Sequence, residues 1–380
     1  MATEYIKHNE FVRIAIECES NINLMTEYIR TNIHPNADKK QIAQRLATYR
    51  RKGHLPLDSG NAVSIGEVLK GTSTLYDDTG NIVQQWVKSD VDKTAQFEAI
   101  TDAITELSKS ITPLPPVTAT TAYLNDSIAT VYISNDIHFG ALMWAPESGT
   151  DWDLPIAIST VNEAYDHLFD TSPSSKFGVV VDLGDLMEVD SFKNLTPQSG
   201  NPLAVDGRFP KIMRAAYGAL VYAIRRALEK HEVVYFINIA GNHDMTVGHA
   251  IREVIRAVFA DNPRVFIDDS PSAIKYFQFG QTLLQFAHGD GLKPRDAGEV
   301  MAHDCQDTFS STKFRYTHMG HNHKDSVYDG RLCRVESHRN LAPINDWAAH
   351  NGYRRQLGTM KSITYHLDKG EVSRSLYTLT

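Results

Sequence analysis

Downstream of residue 118 the chain alternates short apolar, β-branched runs with amphipathic stretches. The runs 130–134 (TVYIS), 178–183 (GVVVDL), 233–239 (VVYFINI), 264–267 (RVFI), 282–287 (TLLQFA) and 314–318 (FRYTH) predict strands, most of them apolar enough to be buried on both faces. Between them, 155–169 and 211–230 repeat their apolar residues with helical period; Ile212, Ala215, Ala216, Ala219 and Tyr222 share one face of the second. Strand–helix alternation predicts an α/β domain, a sheet packed by helices. The stretches 331–336, 362–367 and 373–379 are strand-like with no intervening helix, which predicts a closing antiparallel sheet.

Upstream the pattern changes. The Pro/Thr/Ser-rich segment 108–121 (SKSITPLPPVTATT) reads as a linker, which places a boundary between 1–117 and 118–380. Residues 38–52 follow an Asn-Ala-Asp cap and stop at Gly53, with Ile42, Leu46 and Tyr49 on one face. The segment 73–88 alternates around a DDTGN turn and reads as a hairpin. Between 39 and 54 stand six basic residues and no acid: Lys39, Lys40, Arg45, Arg50, Arg51 and Lys52. A basic helix followed by a hairpin resembles a winged helix-turn-helix, with Arg45, Arg50, Arg51 and Lys52 as candidate DNA contacts. The competing reading is a solvated basic face on a small, mainly helical domain. The stripe Phe97, Ile100, Ile104 and Leu107 is read as packing or dimer surface.

Composition narrows the class. A chain of 380 residues with 42% hydrophobic and 22% charged residues is ordinary for a globular protein. No apolar run approaches the roughly 18 residues a membrane helix needs, and MATEYIKHNEF lacks the pattern of a signal peptide. Three widely spaced cysteines argue against a disulfide framework, so a cytoplasmic setting is expected. A formal charge of −8 weighs against a nucleic-acid-coated protein, although local patches decide.

The chemistry lies at the strand ends. YISNDIHFG ends in Asp136 and His138; VVVDLGD gives Asp185; FINIAGNHD gives Asn242, His243 and Asp244; LLQFAHGD gives His288; YTHMGHNH gives His321 and His323. Rigid sheets present the loops of one edge to a common point, and two ligands at i and i+2 of extended backbone face the same way. Carboxylate, imidazole and one amide oxygen suit Mn, Fe or Zn better than Ca or Mg. Any one of these motifs is weak by itself. Five in sequence order, each behind a predicted strand, are a strong signal.

The order D-x-H, G-D, G-N-H-D, H, G-H-x-H resembles that of calcineurin-like metallophosphoesterases over roughly residues 130–325. The resemblance implies a β-sandwich flanked by helices and a pair of divalent cations, Mn first, with Fe or Zn as alternatives. It implies Asp136, His138, Asp185 and His323 around one cation and Asp185, Asn242, His288 and His321 around the other, with Asp185 shared. His243 would protonate the leaving oxygen, and Asp244 would orient its ring. Two cations lower the pKa of a shared water toward neutrality and neutralise phosphate oxygens, so hydroxide can attack phosphorus in line.

The stretches VDGRFPKIMR, INIAGNHD, VESHRNLAPINDWAAHNGYRR and MKSITYHLDKGEV also resemble little-characterised phosphoesterases of tailed bacteriophages, which would place the protein in a host cytoplasm. That likeness makes Arg208, Lys211 and Arg214, and more weakly Arg339, Tyr353 and Arg354, candidates to hold substrate phosphate; the competing reading of the first three is a solvated helix face. Glu188, Asp190 and Asp290 depart from the expected pattern and receive no role. Three functions remain open. The first is a nuclease on DNA, similar in plan to double-strand-break repair nucleases, which often pair as homodimers. The second is a phosphatase or phosphodiesterase on a small nucleotide or phosphoprotein. The third is a non-catalytic DNA-binding or assembly protein with a vestigial metal site.

Overall fold

The computed structural model describes residues 6–18, 21–51, 67–76, 82–91, 113–115, 117, 124–197, 199–345, 349–352 and 357–379, with the side chains of most of 67–91 left out. The chain divides into two compact units, 1–99 and 100–380. The hydrophobic stripe at 97–107 and most of the 108–121 segment lie outside the described residues.

The first unit contains helices α1 (His8–Glu17), α2 (Ile22–Asn32) and α3 (Lys39–Arg51), followed by an antiparallel hairpin of β1 (Glu67–Tyr76) and β2 (Ile82–Val91). Asn21 caps α2 by accepting from the backbone N–H groups of Asn23 and Leu24. Asp38 caps α3 by accepting from the N–H of Gln41 at 2.9 Å. The helices close on Phe11, Ile14, Met25, Ile29, Ile42 and Leu46, all buried, so the apolar stripe of α3 is the face that packs.

The second unit is a β-sandwich with helices on both outer faces. Its elements are β3 (Asn125–Ser134), α4 (Ala145–Ser148), α5 (Leu154–Thr171), β4 (Ser175–Asp182), α6 (Phe209–Lys230), β5 (Val233–Asn238), α7 (Met245–Val258), β6 (Val265–Ile267), β7 (Ile274–Phe279), β8 (Thr282–Ala287), α8 (Ala297–Asp304), α9 (Gln306–Ser311), β9 (Phe314–Met319), β10 (Ser326–Asp329), β11 (Arg334–Ser337), β12 (Thr359–His366) and β13 (Gly370–Thr378). One sheet runs β13-β12-β3-β4-β5-β6, parallel from β3 to β6; the other runs β10-β11-β9-β8-β7.

Period-two alternation assigns each strand residue to a layer. Ala129, Val131, Ile133, Val179, Val181 and Ile237 face inward and meet Leu284 and Phe286 of the second sheet. Tyr132, Val180, Val234 and Phe236 face outward beneath α5, α6 and α7. Leu283, Met319 and Val335 pack on Ala297 and Met301 of α8.

The six expected strands downstream of 118 and both expected helices are present with shifted ends. The pattern reading lacks β7, β10, α4, α7, α8 and α9. It also joins the tail into one antiparallel sheet, and the structure corrects this. β12 and β13 close antiparallel on β3, whereas β11 joins the other sheet, parallel to β9 and antiparallel to β10. Strand propensity is local, but sheet membership is decided by which buried face each strand can complete.

Candidate metal centre

Parallel pairing of β3, β4 and β5 brings Ser134, Asp182 and Asn238 to one edge, and parallel β8 and β9 end together at Ala287 and Met319. The five motifs follow these ends. They do not continue as extended backbone. Asp136, His138, Asp185, His321 and His323 have φ of 48°, 52°, 51°, 63° and 52°, the left-handed region, and only Asn194 joins them among described non-glycine residues. Non-glycine residues there cost of order 1–3 kcal/mol each and persist where the surroundings over-determine them. The i, i+2 pairs therefore converge because tight turns re-aim them, not because a strand alternates. Asp136 N–H donates to Gly184 O at 3.0 Å and His138 N–H to Asp185 O at 2.9 Å, tying the first turn to the second. A Cβ on Gly241 would collide with the Asp185 carboxylate and its N–H, so only glycine lets the third loop pass.

The side chains gather into three overlapping groups with donor atoms within 4.8 Å of one another: Asp136, His138 and His323; Asp185, His288 and His321; and His138, Glu188 and His243. His138 Nε2 and His323 Nε2 face each other at 3.4 Å, with Asp136 Oδ1 3.3 Å from the latter. His288 Nδ1 donates to Leu183 O at 2.8 Å, which turns Nε2 toward Asn242 Oδ1 at 3.0 Å and Asp185 Oδ2 at 3.2 Å. Asp136 accepts the His321 N–H at 2.9 Å and links the two triads.

This donor set fits divalent cations. Lone pairs converge on common points, and Asp136, Asp182, Asp185, Glu188 and Asp244 are all at least 94% buried, a concentration of negative charge that needs compensation. The pKa directions of the clustered groups express the same pressure. Burial, then the neighbouring Asp185, push the Asp244 carboxyl up to about 7, and Asp182 rises well above the usual range from burial and Asp244. Burial would lower His288, yet its contact with Asp185 dominates and lifts it to about 10; His138, likewise opposed by burial, reaches about 9 through Glu188. For Asp185 and Asp136 the order is reversed. Burial raises them, and His288 and His323 respectively bring them below the ordinary carboxylate range.

All seven expected ligand residues, Asp136, His138, Asp185, Asn242, His288, His321 and His323, thus stand at one end of the sandwich. Two assignments change. Asp244 does not face the His243 ring: its oxygens accept backbone N–H groups of Gly241, Leu186 and Met187, so it holds the loops together. His243 Nδ1 instead donates to Glu188 O at 2.9 Å, with Glu188 Oε2 at 3.7 Å. Glu188, given no role above, also lies 2.7 Å from His138 Nδ1, although off the hydrogen-bonding line. The signal for it was its position three residues after Asp185, on the same tight loop. Asp190 accepts from Thr246 and Val247 N–H and anchors the start of α7.

Arg208, Lys211 and Arg214 lie exposed on the first turns of α6. Arg339 N–H donates to Asp325 Oδ1, while Tyr353 and Arg354 lie outside the described residues. Arg45 is not a free surface cation. It donates to Ile6 O at 2.7 Å and Tyr49 Oη at 3.0 Å and lies 4.5 Å over the Phe11 ring. The side chains of Arg50 and Arg51, and all of Lys52, are outside the described residues.

The two-sheet fold and the gathered Asp, His and Asn donors match what the resemblance to metallophosphoesterases implies. No family model matches the chain, and no curated protein matches it significantly. Among solved structures it is similar to an archaeal phosphodiesterase (11% identity, 66% of this chain and 99% of that one, TM-score 0.34). It is similar too to Yfce, a phosphoesterase from E. coli (13%, 65% and 98%, TM-score 0.31). A third is a conserved uncharacterized protein and predicted phosphoesterase from Streptococcus pneumoniae (10%, 66% and 98%, TM-score 0.29). With TM-scores this low, the assignment stands on this chain's own residues. No described helix is long and apolar enough to cross a membrane.

Proposed function

We propose that the protein is a two-metal phosphodiesterase acting on DNA. The observation that carries the reading is the pair of convergent triads, Asp136–His138–His323 and Asp185–His288–His321, joined through the Asp136 carboxylate. Asp136, His138 and His323 would hold one divalent cation, and Asp185, Asn242, His288 and His321 the other. When bound, such a pair neutralises phosphate oxygens and activates water.

The remaining residues act around that pair. Glu188 O fixes His243 Nδ1–H, so Nε2 is the ring atom left to offer a proton to a departing alkoxide. The Glu188 carboxylate stands 3.7 Å from the same nitrogen, on the side of the ring away from Nε2. Asp244 keeps the Asp185 and Asn242 loops in register through its three backbone contacts.

A second reading, hydrolysis of a small nucleotide or phosphoprotein ester, is favoured by Arg45. Its use inside the N-terminal unit removes one of the cations that DNA binding there would employ. Metal-dependent release of product from single- and double-stranded DNA, run beside bis-p-nitrophenyl phosphate and an Asp185→Ala control, separates the two. DNA cleavage lost in the control supports the nuclease. Turnover of the small diester alone supports the second reading, and turnover of neither with metal bound refutes both.

A further inference from the structure

The loop between β4 and α6, together with the first turns of α6, carries a feature that metal chemistry does not use. Phe192 is 76% exposed, and its ring packs against Phe209 with centroids 4.9 Å apart. Lys193 and Arg208 adjoin the two rings in sequence, and Lys211 and Arg214 follow on the first turns of α6; all four are exposed. Among the described residues none of these four side chains makes an ion pair or hydrogen bond. The patch adjoins the metal centre. Phe192 lies four residues beyond Glu188 on the same loop. Ile212, between Lys211 and Arg214 on α6, presses on Gly140, two residues after His138: a Cβ there would fall within 2.9 Å of three Ile212 carbons, and φ is +94°.

We propose that this patch is a binding platform for single-stranded nucleic acid, with a base stacked on the Phe192–Phe209 pair and adjacent phosphates on Lys193, Arg208, Lys211 and Arg214. A large exposed aromatic beside unpaired cations is what a base with its flanking phosphates complements: the base supplies a π-face, the backbone supplies the charge. An isolated apolar patch would not explain the cations, and a solvated helix face would not explain the exposed Phe192 ring. The platform deepens the phosphodiesterase reading and rests on it, since it delivers a strand to the neighbouring centre.

Binding and turnover test it separately. Anisotropy of a labelled phosphorothioate oligothymidylate, and of an abasic strand of equal length, is measured with the metal-loaded full chain; bis-p-nitrophenyl phosphate hydrolysis is measured in parallel. Phe192→Ala should weaken the thymidylate by about 5- to 150-fold, the equivalent of one stacked base, and leave the abasic strand unchanged. Phe192→Trp should restore affinity. Lys211→Glu should weaken both strands and flatten their salt dependence. Small-diester turnover should not change in Phe192→Ala or Phe192→Trp. Equal affinity of the wild type for both strands, or no effect of Phe192→Ala, overturns the platform. So does a Phe192→Ala loss seen only on anionic lipid vesicles. Wild-type failure to hydrolyse both DNA and the small diester with metal bound would refute the phosphodiesterase reading while the strand comparison still decides the platform.

Discussion

Glu188→Gln is the most informative single change, because the amide keeps the shape of a buried side chain and removes only its charge. Glu188 is 6% exposed, its Oε2 lies 2.7 Å from His138 Nδ1, and the opposite ring nitrogen faces His323 at 3.4 Å. A carboxylate behind a ligating imidazole fixes the ring and raises its basicity, and losing one typically costs 10–100-fold in metal affinity or activity. That range corresponds to about 1.4–2.7 kcal/mol. Titration of the apo protein with Mn²⁺ by calorimetry should show a loss within it. His243 keeps its donation to Glu188 O in the variant, so any further fall in kcat at saturating Mn²⁺ isolates the 3.7 Å contact between Oε2 and His243 Nδ1. Thermal unfolding in chelator guards against a trivial loss of structure. Unchanged Mn²⁺ affinity in a folded variant would refute the assignment of Glu188 as the group behind His138.

His243→Ala should slow turnover by about 10²–10⁴-fold, the usual weight of a general acid, with metal content by elemental analysis unchanged; metal lost along with activity would remove that role. Glu336 gives a pH dependence away from the metal centre. Burial would raise its pKa, but His338, His318, Lys361 and Arg374 bring it from 4.5 down to about 2. Its stabilisation is therefore complete above about pH 4.5 and is lost as pH falls toward 2. Urea midpoints at pH 6 and pH 3 should differ less for Glu336→Gln than for the wild type. Arg45→Ala should destabilise the N-terminal unit by about 1–3 kcal/mol through its lost aromatic and carbonyl contacts, read as a lower unfolding midpoint. If it instead weakens DNA binding with stability intact, Arg45 is a DNA contact after all.

The sequence by itself determined the strands that carry the site, the two long helices of the second unit and the seven residues gathered at the candidate metal centre. These are local signals. Apolar runs at 130–134, 178–183 and 282–287 need burial on both faces wherever they sit, and a ligand placed just past such a run arrives at a sheet edge. Tertiary structure decided the rest. Whether 362–367 closes on the first sheet depends on β3, more than two hundred residues away, and whether 331–336 joins the second depends on parallel pairing with β9; local propensity is blind to both. The turns that bring Asp136 and His138 into the left-handed region are held by Gly184 O and Asp185 O from another strand end, so the extended geometry inferred from i, i+2 spacing does not apply. Asp244, adjacent to His243 in sequence, turns inward to three N–H groups, while Glu188, fifty-five positions earlier, supplies the contact to the ring. Arg45 looks like a surface cation in a basic run, yet the fold closes Phe11 and Tyr49 around it. Residue type fixes which chemistry a side chain can perform; which partner it meets is set by packing between segments far apart along the chain.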